Sequence, residues 1–165
     1  MNTVRILGID PGFDRLGVCI LDKKGNSENL VHSLCIETSR KDSFEKRIWG
    51  IGCELEAIIK KYKPSELAIE KLFFTKNQTT AIKVAEVRGV VLYIAQSCGL
   101  SINEYSPPEI KLAVAGHGRA SKSEISNMVS KILLKQVGSG LLDDELDAIA
   151  IALTHSAHRK IRSLK

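Results

Sequence analysis

The chain has 165 residues, enough to bury one sizeable core, and its 44% hydrophobic and 26% charged residues are ordinary for a globular domain. No apolar run approaches the roughly 20 residues of a membrane span, and Met1 leads at once into Val4-Arg5-Ile6-Leu7-Gly8-Ile9, so neither a membrane association nor a cleaved signal is expected and the cytoplasm is the predicted location. The formal charge of +5 and pI near 9.0 suit an anionic partner without naming one.

The distribution of charge says more than its total. Residues 111–165 carry nine Lys/Arg against five Asp/Glu, and four of those five acids are gathered in Asp143-Asp144-Glu145-Leu146-Asp147. Cys19, Cys35, Cys53 and Cys98 show no C-x2-C spacing and are expected to be small buried hydrophobes. Any metal must therefore be held by carboxylates.

There is no repeat, low-complexity segment or linker, so a single domain over 1–165 is expected. In chain order, Val4 to Ile9 is a β-branched run ending at the turn signal Asp10-Pro11-Gly12. Leu16 to Leu21 and Leu30 to Ile36 follow as strands across the hydrophilic turn Asp22 to Asn26, and such short connections predict an antiparallel meander. The apolar period then changes to that of a helix at Phe44, Ile48, Ile51, Leu55 and Ile58. Leu67-Ala68-Ile69 is a short strand entering Glu70, Thr79 to Ser97 a long helix, and Ile102 to Tyr105 a fifth strand closed by Pro107-Pro108. Helices are predicted at Glu109–Ala115, Ser121–Leu134 and Leu142–His158, with Ser121 and Glu124 spaced as a capping box. The order β-β-β-α-β-α-β and then helices predicts an α/β fold: a mixed five-stranded sheet, three antiparallel strands then parallel additions, flanked by helices.

Three places could deliver carboxylates to one point. Asp10 and Glu70 each end an apolar strand, while Asp144 and Asp147 share a face at the start of a helix that continues Ala148-Ile149-Ala150-Ile151-Ala152-Leu153. Two carboxylates about 4 Å apart repel by roughly 4 kcal/mol at an effective dielectric near 20, so such a cluster calls for a cation. Hard oxygen ligands select Mg²⁺ or Mn²⁺, and a pair of such ions can activate water and stabilise the leaving oxygen of a phosphodiester. Taken singly, each signal has a plainer reading: Asp10 as a turn residue, Glu70 as a surface charge, Asp143 to Asp147 as the acidic start of a helix.

These segments, Leu7-Gly8-Ile9-Asp10-Pro11-Gly12, Ala68-Ile69-Glu70-Lys71-Leu72-Phe73-Phe74 and Asp144-x-x-Asp147-Ala148, resemble the RuvC family of Holliday junction resolvases. Between them, Lys76-Asn77, Ala85-Glu86-Val87-Arg88-Gly89, Tyr105-Ser106-Pro107, Ile110-Lys111, Gly116-His117-Gly118, Lys122 and Met128-Val129 continue the likeness in order. The resemblance implies an RNase H-like fold, a homodimer and paired symmetric nicks across four-way junction DNA. It implies two Mg²⁺ ions per site, with Mn²⁺ as a substitute, held by the catalytic set Asp10, Glu70, Asp144 and Asp147. It further implies DNA contacts by Phe73, which stacks on a base near the crossover, by Lys76, Asn77 and Arg88, and by Lys111 and Lys122 on phosphates. RuvA and RuvB are the implied branch-migration partners. Lys71, Glu86 and His117 depart from the usual pattern and bear on sequence preference, not on chemistry. His155, eleven residues past Asp144, is expected to lie outside the site. Two other readings stay open at this point: a non-catalytic branched-DNA binder, and a phosphotransferase or ATPase of the actin-like fold, whose first phosphate loop is similar to Leu7–Gly12.

Overall fold

The computed structural model describes residues 3–72, 78–133 and 140–162. Five strands form one mixed sheet in the order β3-β2-β1-β4-β5, with β1 at Val4–Asp10, β2 at Arg15–Lys24, β3 at Ser27–Glu37, β4 at Glu66–Glu70 and β5 at Ser101–Tyr105. The pairs β1/β2 and β2/β3 are antiparallel, and β1/β4 and β4/β5 are parallel, as the connection lengths predict. The hairpin strands run further than their apolar cores, because cross-strand pairing extends them. Lys23 lies opposite Glu28 and forms an ion pair with it, and the chain reverses at Gly25-Asn26 with Gly25 at φ +57°.

Alternation along the central strand separates two cores. Leu7 and Ile9 face α1 (Phe44–Tyr62) and α2 (Gln78–Ser97), where Ile51, Leu55, Val87 and Val91 are buried against them. Ile6 and Ala68 face the other way, onto α5 (Asp143–Arg162), which is backed by α3 (Pro107–Ala115) and α4 (Lys122–Ile132). The first core therefore has the helix-period pattern of α1 as its lid, and the second has the Ala/Ile run of α5.

α5 lies unusually close to the sheet. A Cβ at Gly8 would stand 2.4 Å from the carbonyl oxygen of Ala148, and one at Gly17 would stand 1.9 Å from that of Asp144. Both glycines are thus required by close backbone approach. The far end of α5 is tied down by polar contacts: Tyr105 Oη and His155 Nδ1 are 2.6 Å apart, His155 and Arg159 both reach Glu66, and Ser156 Oγ donates to Glu28 at 2.8 Å. His155 is buried at the start of β4, the end opposite Glu70, which accounts for its place outside the site.

Two expectations need correction. Only Cys19 is buried; Cys35 is half-buried, and Cys53 and Cys98 are exposed on α1 and just past α2. Cys53 falls on a helix face turned away from the core and Cys98 on the turn that follows α2, which their chemistry alone does not reveal. α3 begins at Pro107, not Glu109. Two prolines suit a first helical turn, where amide donors are unpaired, and Glu109 accepts from the Ser106 amide at 2.7 Å. The capping box at Ser121 is present, with the Ser121 amide donating to Glu124 at 2.8 Å and the Glu124 amide donating back to Ser121 at 3.3 Å. No helix among the described residues is long and apolar enough to cross a membrane.

Candidate active site

Parallel pairing of β1 with β4 puts Ile9 beside Ile69, so the next residues, Asp10 and Glu70, end neighbouring strands at the same sheet edge. The glycine seat brings the first turn of α5 over that edge, and Asp144 and Asp147 with it. A cavity of about 240 Å³ is lined by Asp10, Glu70 and Asp147, by Lys111 and Lys122, and by the apolar Pro107, Ile110, Ile125 and Ile151.

The electrostatics are those of crowded carboxylates. Burial first, then the negative charges of Asp147, Glu70 and Asp144, push the Asp10 carboxyl up to about 7. Burial followed by Asp147 raises Glu70, and burial likewise raises Asp147 against the opposing pull of Lys122. Two side-chain cations moderate the cluster. Lys122 Nζ lies 3.1 Å from Asp147 and 3.4 Å from Asp143, and Arg15 Nε lies 3.3 Å from Asp144 Oδ2.

Among the described residues, no three His, Cys, Asp or Glu side chains stand at the spacing needed to hold an ion between them. The donor set nevertheless fits a hard divalent cation. All four groups are carboxylates, the Asp10 carboxyl is pushed up to about 7 by burial and then by its acidic neighbours, and Asp144 Oδ2 is buried yet accepts no hydrogen bond. Its ion pair with Arg15 leaves that oxygen's hydrogen-bonding capacity unused.

The sequence profile of the family described as crossover junction endodeoxyribonuclease RuvC matches residues 6–155. The chain belongs to the RuvC family. A crossover junction endodeoxyribonuclease RuvC of Petrotoga mobilis is 46% identical over 155 residues, covering 94% of either chain, and that of Thermotoga maritima is 39% identical over 163 residues, covering 98% of this chain and 96% of its own. Among solved structures, Thermus thermophilus RuvC in complex with a Holliday junction substrate superposes with a TM-score of 0.89 at 31% identity, covering 97% of each chain. The sheet order and its helical layers are accordingly RNase H-like.

Within this RuvC fold the expected DNA contacts separate. Lys111 and Lys122 line the carboxylate cavity. Arg88 is turned inward: it forms an ion pair with Glu104 and donates to the Glu70 carbonyl at 3.3 Å, which ties the end of β4 to β5 and α2. Its position supports Glu70 from behind. Phe73, Lys76 and Asn77 lie outside the described residues. Arg15 was not anticipated, although it lies five residues after Asp10 on a strand that folds straight back, bringing Gly17 opposite Asp10. That antiparallel return was the available signal. The apolar lining from Ile110, Ile125 and Ile151 was legible only as helix periodicity.

Proposed function

We propose that this chain is a divalent-metal-dependent endonuclease that resolves four-way DNA junctions by paired symmetric nicks in recombination and repair. The observation that carries this reading is a cavity lined by carboxylates from two strand ends and one docked helix, beside Asp144 with a buried oxygen free of hydrogen bonds. Asp10, Glu70, Asp144 and Asp147 hold the cation, with two Mg²⁺ as the expected occupants and Mn²⁺ as a substitute. Ions held there supply charge neutralisation at the phosphate and activation of the attacking water. Water adds at phosphorus, one P–O ester bond breaks, and the products are a phosphate terminus and a hydroxyl terminus. Pro107, Ile110 and Ile125 exclude bulk water from one side of the cavity, and Lys111 and Lys122 hold flanking phosphates. An actin-like phosphotransferase is disfavoured because the RuvC family match covers residues 6–155 of the 165. A single domain carries one site, so symmetric nicking of two strands calls for a homodimer; the particle in solution should have twice the 18.1 kDa chain mass. We place its work in the cytoplasm, with RuvA and RuvB as partners.

The direct test is incubation with a synthetic four-way junction and with linear duplex, in Mg²⁺ and in EDTA. Symmetric nicking of the junction alone, abolished by EDTA, is the expected result; junction binding without any nick would favour the binder. For affinity, log K should fall linearly with log salt, at about −0.9 per phosphate contact. Lys111→Ala should lower that slope by about one contact. Lys122→Ala should lower it by less, because Asp143 and Asp147 already neutralise part of its charge.

Phe73, three residues after Glu70, is proposed to stack on an unpaired base at the crossover, an interaction worth about 1–3 kcal/mol. Phe73→Ala should then cut an intact junction roughly 10- to 100-fold more slowly than wild type, and be preferentially rescued by a junction already mismatched at the crossover. Equal loss on both substrates would remove the stacking role.

A further inference from the structure

On the other side of Asp144 from the carboxylate cavity lies a larger one, of about 590 Å³, built where the β1–β2 turn, the β3–α1 loop, α1 and α2 meet. Phe13, Asp14, Arg15, Arg40, Arg47 and Lys83 line it, and Asp144 closes it toward the catalytic edge. Four cations thus face two carboxylates, one of them the metal-binding Asp144.

The four cations are not equivalent. Arg47 is structural: its side chain is 9% exposed, its guanidinium lies 3.7 Å from the centre of the Phe13 ring, and it pairs with Asp14 and bonds Thr38 at 2.8 Å. It makes a fixed, positively charged floor. Arg40 also reaches Asp14, at 2.8 Å, but its side chain is 82% exposed. Arg15 is 50% exposed. Lys83 Nζ stands 5.2 Å from the same Phe13 ring, is exposed, and makes no ion pair among the described residues. The single Asp14 carboxylate therefore serves two arginines, and a net positive charge is left open to solvent beside a centre that handles phosphodiesters.

We propose that this cavity is a second phosphate subsite, taking backbone phosphates of the cleaved DNA strand beyond the scissile one, with Arg40 and Lys83 as its contacts and Arg47 on Phe13 as its base. The proposal rests on the nuclease reading. Arg15 belongs to this lining and touches Asp144, which is also part of it and whose charge acts on Asp10 in the carboxylate cavity. A strand whose scissile phosphate sits at the carboxylates has Lys111 and Lys122 on one flank and this bank on the other. DNA carries a charge about every 3.4 Å along each strand, so neighbouring phosphates fall within the reach of such a cavity. Guanidinium groups match phosphate oxygens in paired hydrogen bonds, and Arg40, although one of its nitrogens meets Asp14, leaves most of its guanidinium exposed to receive them.

The test uses full-length protein and a set of four-way junctions, each with one neutral methylphosphonate linkage stepped along the cleaved strand to either side of the cut. Binding is measured in EDTA. Wild type should lose about three- to ten-fold in affinity when one or two linkages on a single flank are neutralised. In Arg40→Gln and Lys83→Gln those same linkages should lose their effect, and the salt slope should fall by about one contact for Lys83→Gln and by less for Arg40→Gln, whose charge Asp14 already neutralises in part. Lys83→Arg should restore the position dependence, and matching thermal melts show that fold is intact. Variants that bind as wild type does, or that weaken binding while keeping the wild-type position dependence, would overturn the subsite. A wild-type protein with no preference for the junction over duplex would overturn the nuclease reading, and the subsite with it.

Discussion

Asp10→Asn is expected to leave the protein unable to nick a four-way junction and, at neutral pH, harder to melt. The loss of cutting follows from the metal-holding role proposed for Asp10: without that ligand, several kcal/mol of transition-state stabilisation is forfeited, a rate factor of roughly a thousand or more. The gain in stability follows from the same crowding. Asp10 is raised from 3.8 to about 7 by burial and by Asp147, Glu70 and Asp144. Between those two values the folded protein holds a proton that the unfolded chain has released. Metal-free stability therefore falls as pH rises through this window, and the penalty is complete above it. Three pH units correspond to on the order of 4 kcal/mol. An amide keeps part of the desolvation cost, so about 2 kcal/mol should be recovered, or roughly 4–8 °C in melting temperature for a chain of this size. Calorimetry at pH 8 and pH 4 checks this: the gain should be present at pH 8 and vanish at pH 4. Mg²⁺ should stabilise wild type far more than the variant. An unchanged melting temperature at pH 8 would show that Asp10 is not under repulsion.

Gly17→Ala should also damage the enzyme, from a position that touches no substrate. The added methyl would stand 1.9 Å from the Asp144 carbonyl oxygen and 3.3 Å from Ala148 Cβ, and the first of these is helix backbone that has nowhere to retreat. The first turn of α5 must lift, taking Asp144 and Asp147 away from Asp10. Overpacking of this kind costs about 1–3 kcal/mol or more, and an ångström of misplacement at a reacting centre costs about a hundred-fold in rate. Reduced melting temperature together with reduced cleavage is the expected pair of readouts. Gly89→Ala in α2 is the matched control: nothing lies within 4 Å of its added methyl, so the helix should gain roughly 0.5–1 kcal/mol. A Gly17 variant that behaved like the Gly89 one would mean that α5 is not seated as described.

The parts of the molecule that follow from local pattern were legible in advance. Alternation and short turns specify the β1–β3 meander, and a strand that ends in a carboxylate announces Asp10 and Glu70. The small-residue run after Asp147 announces a helix that lies against the sheet. What sequence does not carry is the pairing between distant segments. Arg15 faces Asp144 because β2 returns under α5, and Arg88 serves Glu104 and Glu70 because α2 crosses the end of β4. Both arginines look like solvent-facing or DNA-facing charges until those crossings are known. The cysteines failed for the same reason: a thiol is compatible with either face of a helix or with the turn after one, and only packing decides that Cys53 and Cys98 are exposed.

α5 is held at one end by bare backbone contact at Gly8 and Gly17 and at the other by Glu66 through His155 and Arg159. Between these anchors Ala148 to Ser156 is buried almost without interruption. A segment fixed at both ends and covered along its length has no small fluctuation that frees its amides, so their hydrogens should exchange with deuterium only when the whole molecule opens. The amides of Ile149 to Thr154 should then be among the last to exchange, with rates that track global unfolding in denaturant. Amides of the exposed β3–α1 loop, such as Lys41, should exchange early. Asp144 and Asp147, the carboxylates proposed for catalysis, would thus ride on the slowest-opening part of the chain, and the adjustment to a branched substrate would fall to the surfaces around them.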